Sequence, residues 1–448
     1  MTGINFISKN IIFCGLALIF TTATITRAGN CEKVFNTVDS VYEDQIRTVL
    51  FYPDSPANVA KDTITMDVFL PPIVSIDQSV PLLLEFDELT NTTQNYYFKI
   101  LNCQADWTIS SLSPIQYLDE YNELFISDRE LSFNTQYNYV HYKCFMPKLK
   151  VSGNYILKVY RGSGNEDDLI ITRRFIIYEN LIIITPEIKS SSVVDKRNSY
   201  QQVDLIINYP NFEVFNPMQN LKLVIRQNNR WDNALYDLKP MYAEENNQYL
   251  NYEYYDLTNN FPGGNEYRQF DVRSVRHKGL NIAKIKRDSA TLKSEESLLV
   301  DKSYARDPVY TQWNDQDGKY YVELYETNDT ETQPDYLYVN FTLEVPPIEG
   351  KGKVYVFGAL SDWKIDKRFE MTYNEKEKAY TARAFLKQGY YNYKYVIVFP
   401  DGTRDETFFE NTFSMTENIY DFIAYYRPVG GRSDRVIGYI SVTYLSHN

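Results

Sequence analysis

The run Gly263-Gly264-Asn265-Glu266-Tyr267-Arg268 places two adjacent glycines beside an amide, a carboxylate and a guanidinium. Glycine opens backbone conformations closed to other residues, and the three polar side chains supply donors and acceptors for a fixed hydrogen-bond network. Upstream, Arg226-Gln227-Asn228-Asn229-Arg230-Trp231-Asp232-Asn233 repeats that chemistry. Such residues either line a ligand or partner surface or form a buried network that locks a β-domain, and the behaviour of polar networks favours the second. Neither a phosphate nor a cation suits the glycine run, because it is not placed as a strand-to-helix loop and lacks cation-ligand spacing.

Catalytic chemistry finds little elsewhere. The three histidines, His141, His277 and His447, have no zinc spacing, and there is no nucleophile elbow or phosphate-binding loop. A glycosidase needs only two carboxylates, but Glu85 and Asp87 alternate on a strand-like run and read as a solvated face. Asn314-Asp315-Gln316-Asp317-Gly318 has oxygen ligands without the twelfth-position glutamate of a calcium loop, and reads as a turn. We therefore expect no enzyme, cofactor or metal site.

The N-terminus carries Lys9, an apolar stretch over 11–20 and Thr26-Arg27-Ala28, which is the pattern of a secretory signal peptide cut after Ala28. No later stretch reaches the length of a membrane span. An exported protein is the expectation. Residues 1–28 hold two basic and no acidic side chains, which leaves 44 Lys and Arg against 59 Asp and Glu and argues against nucleic acid. With Cys14 removed, Cys31, Cys103 and Cys144 remain; Cys103 and Cys144 could be bridged or could be two separate buried thiols. Asn30 disfavours lipidation of Cys31, which reads as a free thiol.

The elements that must position these residues are strands. Period-two patterns run over 63–70, 81–86, 96–103, 153–160, 172–178, 203–208, 221–226, 354–357 and 391–399. Turn signals at Asp317-Gly318 and Asp401-Gly402 agree. The best helical candidate is 282–300, which has no strong cap. Forty tyrosines suit both strands and contact faces. Seams at 190–199 and 301–308 suggest an all-β chain of three consecutive immunoglobulin-like β-sandwich modules: 29–185, 186–308 and 309–448, after a signal peptide over 1–28.

Two resemblances add to this reading. Val354 to Trp363, with Met371, Tyr380 and 386–395, resembles the early-set immunoglobulin-like modules of glycogen-binding proteins. That similarity makes Trp363 and Lys394 candidate sugar contacts and gives an alternative function as an exported carbohydrate-binding protein. The plainer reading of the pair is a core-edge tryptophan and a solvated lysine. Second, Asn102-Cys103-Gln104-Ala105-Asp106-Trp107-Thr108, Ser132-Phe133-Asn134-Thr135, Tyr139-Val140-His141-Tyr142 and Ser152-Gly153-Asn154-Tyr155 occur in that order. They are followed by Thr172-Arg173-Arg174-Phe175, Gln227 to Arg230, Gly263 to Arg268, Lys387 to Tyr391 and Tyr426-Arg427-Pro428 with Gly431 to Asp434. Taken together the chain resembles the type IX secretion system plug protein family. That resemblance implies a periplasmic, non-enzymatic protein that docks on the periplasmic mouth of an outer-membrane β-barrel translocon and seals it when no cargo is exported. It marks Trp107, Asn134, His141, Asn228, Arg230, Gly263, Gly264, Asn265, Glu266 and Arg268 as family-motif or network residues, with no small-molecule substrate.

Overall fold

A strand buried on both faces must be covered twice, whether the covered side chains are apolar or paired charges. Leu82–Glu88 is buried at every position, whereas Tyr96–Cys103 alternates between buried and half-buried side chains. The computed structural model describes residues 33–54, 66–244, 247–307, 309–348 and 350–445. Residues 1–28, Cys31 and His447 lie outside the described residues, and so does the start of the strand expected over 63–70. Its described end, Met66–Phe69, is a turn of 3-10 helix.

Three β units result. In the first, a six-stranded sheet runs in the order Ser40–Val41, Leu169–Tyr178, Gly153–Arg161, Tyr96–Cys103, Leu124–Phe125, with Ile73–Ser75 parallel to Leu169–Tyr178. It faces a four-stranded sheet of Ile46–Pro53, Leu82–Glu88, Val140–Phe145 and Asp128–Leu131. Phe86, Tyr96 and Tyr142 pack as a ring cluster between the two, with centroids 5.0–5.5 Å apart. Period-two alternation gives each sheet one core face, as in a sandwich.

The second unit packs a sheet of Ile183–Ser190, Tyr200–Asn208, Tyr249–Tyr252, Tyr242–Glu244 and Asn260–Pro262 on a three-stranded sheet. That smaller sheet is Leu221–Gln227, Asn418–Tyr426 and Arg435–Tyr444, registered Leu221 to Tyr426 and Gln227 to Tyr420. Two of its three strands thus come from the end of the chain. The third unit is one eleven-stranded sheet that starts at Arg268–Asp271 and reaches Ile282–Arg287 at its other edge. It wraps on itself, since Phe270 from one edge strand touches Phe341 from Tyr336–Glu344 with ring centroids 5.5 Å apart.

The all-β, sandwich-type class is what the structure has, but the chain does not change unit at 308. Arg268–Asp271, Ile282–Arg287 and Ser294–Leu298 already belong to the third unit, and Asn418–Tyr444 leaves it to complete the second. The third unit is inserted into the second. Residues 282–300 form a hairpin, not a helix: Ile282–Arg287 pairs with Ser294–Leu298. Asp288 closes it by accepting the amides of Ala290 and Thr291, with Leu292 in a left-handed conformation. Most of the largest fully buried side chains are tyrosines, among them Tyr96, Tyr139, Tyr155, Tyr252, Tyr336, Tyr391 and Tyr393. Their abundance therefore serves the interior first, where the ring fills volume and, at Tyr139, Tyr155, Tyr336, Tyr391 and Tyr393, the hydroxyl finds a carboxylate or carbonyl.

Candidate functional site

The singled-out residues meet at the joints between units, in three buried polar clusters and one apolar one. The glycine run is the crossing from Asn260–Pro262 of the second unit to Arg268–Asp271 of the third. Gly263 donates its amide to the Ser199 carbonyl, and a Cβ there would lie 1.9 Å from the Phe413 carbonyl oxygen. Only glycine fits. Gly264 has φ +70°, donates to Thr412 Oγ1 and accepts from the Phe413 amide. Asn265 Nδ2 donates to the Glu410 carbonyl at 2.9 Å, and the buried Glu266 carboxylate accepts from the Tyr310 hydroxyl. Burial is the main cause of the rise in the Glu266 pKa. Arg268 ends the run with Nε 3.0 Å from Glu410, Nη1 2.9 Å from Asp301 and Nη2 2.7 Å from the Lys302 carbonyl, and its guanidinium stacks 4.0 Å from the Tyr304 ring. The run clamps the segment over 410–416 that leads back to the second unit.

The second cluster grows from the end of Leu221–Gln227. Asn228 and Asn229 are both left-handed, at φ 54° and 59°, a conformation asparagine tolerates. Asn228 Oδ1 accepts the Ile419 amide and its Nδ2 donates to Asn418 Oδ1. The turn delivers Arg230, whose guanidinium forks onto Asp232 and Glu406 at 2.6–3.0 Å and lies 4.5 Å from the Trp363 ring. Burial pushes the Glu406 carboxyl up, but Arg230 and Lys394 outweigh it and hold it well below the usual range.

Trp363 and Lys394 do come together here, but not as an open sugar platform. Trp363 is half-buried, edge-on to Tyr267 and Phe357 and covered by Arg230. Lys394 is neither solvated nor free: it is buried, 3.3 Å from Glu406 and 4.2 Å from the centre of the Tyr267 ring. The second unit supplies Arg230, which covers Trp363 and shares Glu406 with Lys394.

Between the first and second units lies an apolar joint that includes Cys103, Trp107, Ile156, Ile176, Val224 and Ile423. Trp107 is buried with φ 67° and packs edge-on to Trp231 at 4.9 Å, with Arg174 stacked over both rings. Cys103 and Cys144 are free thiols, so the bridge held open by the sequence is not formed; Cys103 ends a strand of the six-stranded sheet and Cys144 lies in the four-stranded one. Burial pushes each thiol up to about 12.

The fourth cluster joins the first unit to the third and corrects the reading of Glu85 and Asp87 as solvent-facing. Both are buried, because the outer face of Leu82–Glu88 is covered by the third unit. Asp87 accepts from His141 Nδ1 at 2.8 Å, from Lys387 Nζ at 2.7 Å and from the Tyr336 hydroxyl at 2.6 Å. Burial pushes the Asp87 carboxyl up, but Lys387 and His141 outweigh it and leave it lowered. Burial pulls His141 down, yet its hydrogen bond to Asp87 and the Glu85 carboxylate 3.7 Å away carry it up to about 9. Asn134, at φ 59°, shapes the nearby turn whose Gln136 and Tyr137 amides donate to Asp335 of the third unit.

Sequence reasoning missed the acidic Asp301, Glu406 and Glu410 of these clusters, read Asp87 as solvated, and named Lys387 only within a family motif. A signal existed for Asp87, which shares the strand Leu82–Glu88 with Glu85, Glu88 and four large apolar residues. Among the described residues, no group of three or more His, Cys, Asp or Glu is placed to hold a metal ion, and no helix is long and apolar enough to cross a membrane.

Fold and clusters together define an all-β, multi-unit protein whose singled-out polar residues are spent on holding its units to one another. Residues 46–179 match the first domain of the type 9 secretion system plug protein. A crystal structure of a hypothetical protein from Parabacteroides merdae ATCC 43184 is similar over 91% of this chain and 99% of that one, at 31% identity and a TM-score of 0.82. Comparison with curated proteins gives no match. The chain belongs to the type 9 secretion system plug protein family.

Proposed function

We propose that the protein is a non-enzymatic plug that binds and seals the periplasmic opening of the outer-membrane type IX translocon while no cargo is exported. The observation that carries this reading is that every joint is packed: buried ion-pair clusters fasten the third unit to the first and to the second, and an apolar joint fastens the first to the second. A chain that must cover a wide pore has to resist bending between its units, and a guanidinium forked onto two carboxylates in a dry joint resists it by being costly to break. The acidic balance keeps the free form soluble. The site of action is the periplasm, with attachment to the outer membrane only through the translocon.

Pull-down of the tagged chain from detergent-solubilised outer membranes is expected to recover a large β-barrel. Deleting the gene is expected to make the outer membrane leaky to molecules that pass only through that barrel. Membranes equally tight with and without the gene would sink the proposal.

A further inference from the structure

A cleft of about 320 Å³ opens between the edge strand Ile46–Pro53 of the first unit and the sheet of the third. It lies beside the His141 cluster at the same joint and shares Lys387 and Tyr336 with it. Two features of its rim are independent of each other. Thr48 has φ 49°, in the left-handed region that β-branched residues avoid. It sits in an irregularity where Arg47 pairs with Asp87 and Leu50 with Glu85, so that two residues oppose one and Arg47 and Thr48 are turned into the cleft. Thr48 is held there by its hydroxyl, 2.6 Å from that of Tyr336. Strain of this kind persists where the surroundings impose it and gathers at functional positions.

The second feature is Arg47 itself. Its Nε and Nη1 are buried and have no hydrogen-bond partner. The neighbouring cations of the cleft are already matched: Arg173 faces Asp362 at 3.4 Å, Arg368 bonds Asp366 at 2.5 Å, Arg383 faces Glu295 at 3.3 Å and Lys387 bonds Asp87. Burial is the main cause that lowers the Arg47 pKa, followed by the like charge of Arg368. Asp44 and Asp366 act on it only through space and are paired with Arg368, so one guanidinium is left without a bonded counter-charge. Val49, Tyr320, Leu360 and Phe385 give the rest of the wall an apolar and aromatic character.

We propose that this cleft is a binding site for a monocarboxylate with an apolar body, its carboxylate paired with Arg47 and its body against the aromatic wall. A single unmatched cation favours a single negative charge over a phosphate dianion, and buried guanidinium groups pair carboxylates by charge-assisted hydrogen bonds. The volume is at the lower end of small-molecule sites and holds a group the size of one amino-acid residue with its terminus. The carboxylate could be a peptide C-terminus or a free aromatic acid.

Calorimetric titration of the full chain with N-acetylphenylalanine and with 3-phenylpropionate, each beside its amide, tests the site. At least one acid is expected to bind about tenfold or more tighter than its amide, the usual worth of a hydrogen bond to a charged group. The tighter acid names the source. Arg47→Gln is expected to abolish the difference and Arg47→Lys to keep part of it. In the absence of any acid, Arg47→Gln should not lower the melting temperature, because the side chain it replaces pairs with nothing. Acid and amide binding alike, no binding at millimolar concentration, tighter binding of inorganic phosphate, or a melting temperature lowered by Arg47→Gln would each overturn the proposal. None of these outcomes depends on a translocon.

Discussion

Arg268→Ala tests whether the crossing between the second and third units is held by charge. The side chain is 3% exposed, and its guanidinium reaches Glu410, Asp301 and the Lys302 carbonyl within 3.0 Å. Removing one side of a buried pair costs about 3–5 kcal/mol, since the partner is left charged and dry. Both partners keep other donors: Asp301 accepts the Tyr393 and Tyr395 hydroxyls at 2.6 and 2.7 Å, and Glu410 accepts the Tyr395 amide at 2.8 Å. That places the loss at the lower end, about 3 kcal/mol with the stacking on Tyr304 included. For a cooperative unit of 150–250 residues this is a fall of roughly 6–12 °C in melting temperature. Calorimetry should show the fall in the transition that contains the third unit, with Arg268→Lys intermediate. Pairing with Glu410→Gln should give a double variant clearly less destabilised than the sum of the two. A loss below about 0.5 kcal/mol, the size of an exposed pair, would refute the claim that this network is dry.

The His141 cluster should make stability fall in mild alkali. The folded pKa of about 9 lies above the ordinary 6.5, so its contribution is complete below pH 6.5 and lost as pH rises through 9. Denaturant midpoints measured from pH 6 to 10 should drop by the equivalent of about 3 kcal/mol, and His141→Gln should flatten that drop. Glu296 is fully buried with neither carboxylate oxygen bonded, and burial pushes its pKa up to about 8. A raised acid pKa costs stability as pH climbs from 4.5 to 8, so Glu296→Gln should raise the midpoint at pH 7 by about 2–3 kcal/mol and leave it unchanged near pH 4. Gly263→Ala should prevent folding of the crossing, because its Cβ would meet the Phe413 carbonyl, whereas Gly264→Ala, with open space but φ +70°, should cost only about 1 kcal/mol. Equal melting temperatures for the two glycine variants would remove the steric argument.

The residues themselves determined the class. Side chains that alternate with period two, as in Tyr96–Cys103, leave little choice but strands, and two adjacent glycines before Asn265, Glu266 and Arg268 pointed to a buried network, which is where the structure places them. The ordered motifs, from Asn102 to Asp434, carried the family. What a strand pattern cannot carry is the identity of its partner. Alternation says that one face is covered without saying by what, so nothing local showed that Leu221–Gln227 pairs with Asn418–Tyr426, or that the third unit is inserted into the second. For the same reason Glu85 and Asp87 read as solvated, and only the docking of Tyr336 and Lys387 from far along the chain made that face dry. Lys394 and Trp363 likewise read as a surface pair or a core edge until Arg230 was found over the tryptophan ring. Local chemistry settles what a residue can bond to; whether it meets water or a partner is decided by contacts between distant parts of the chain, and those exist only in the folded molecule.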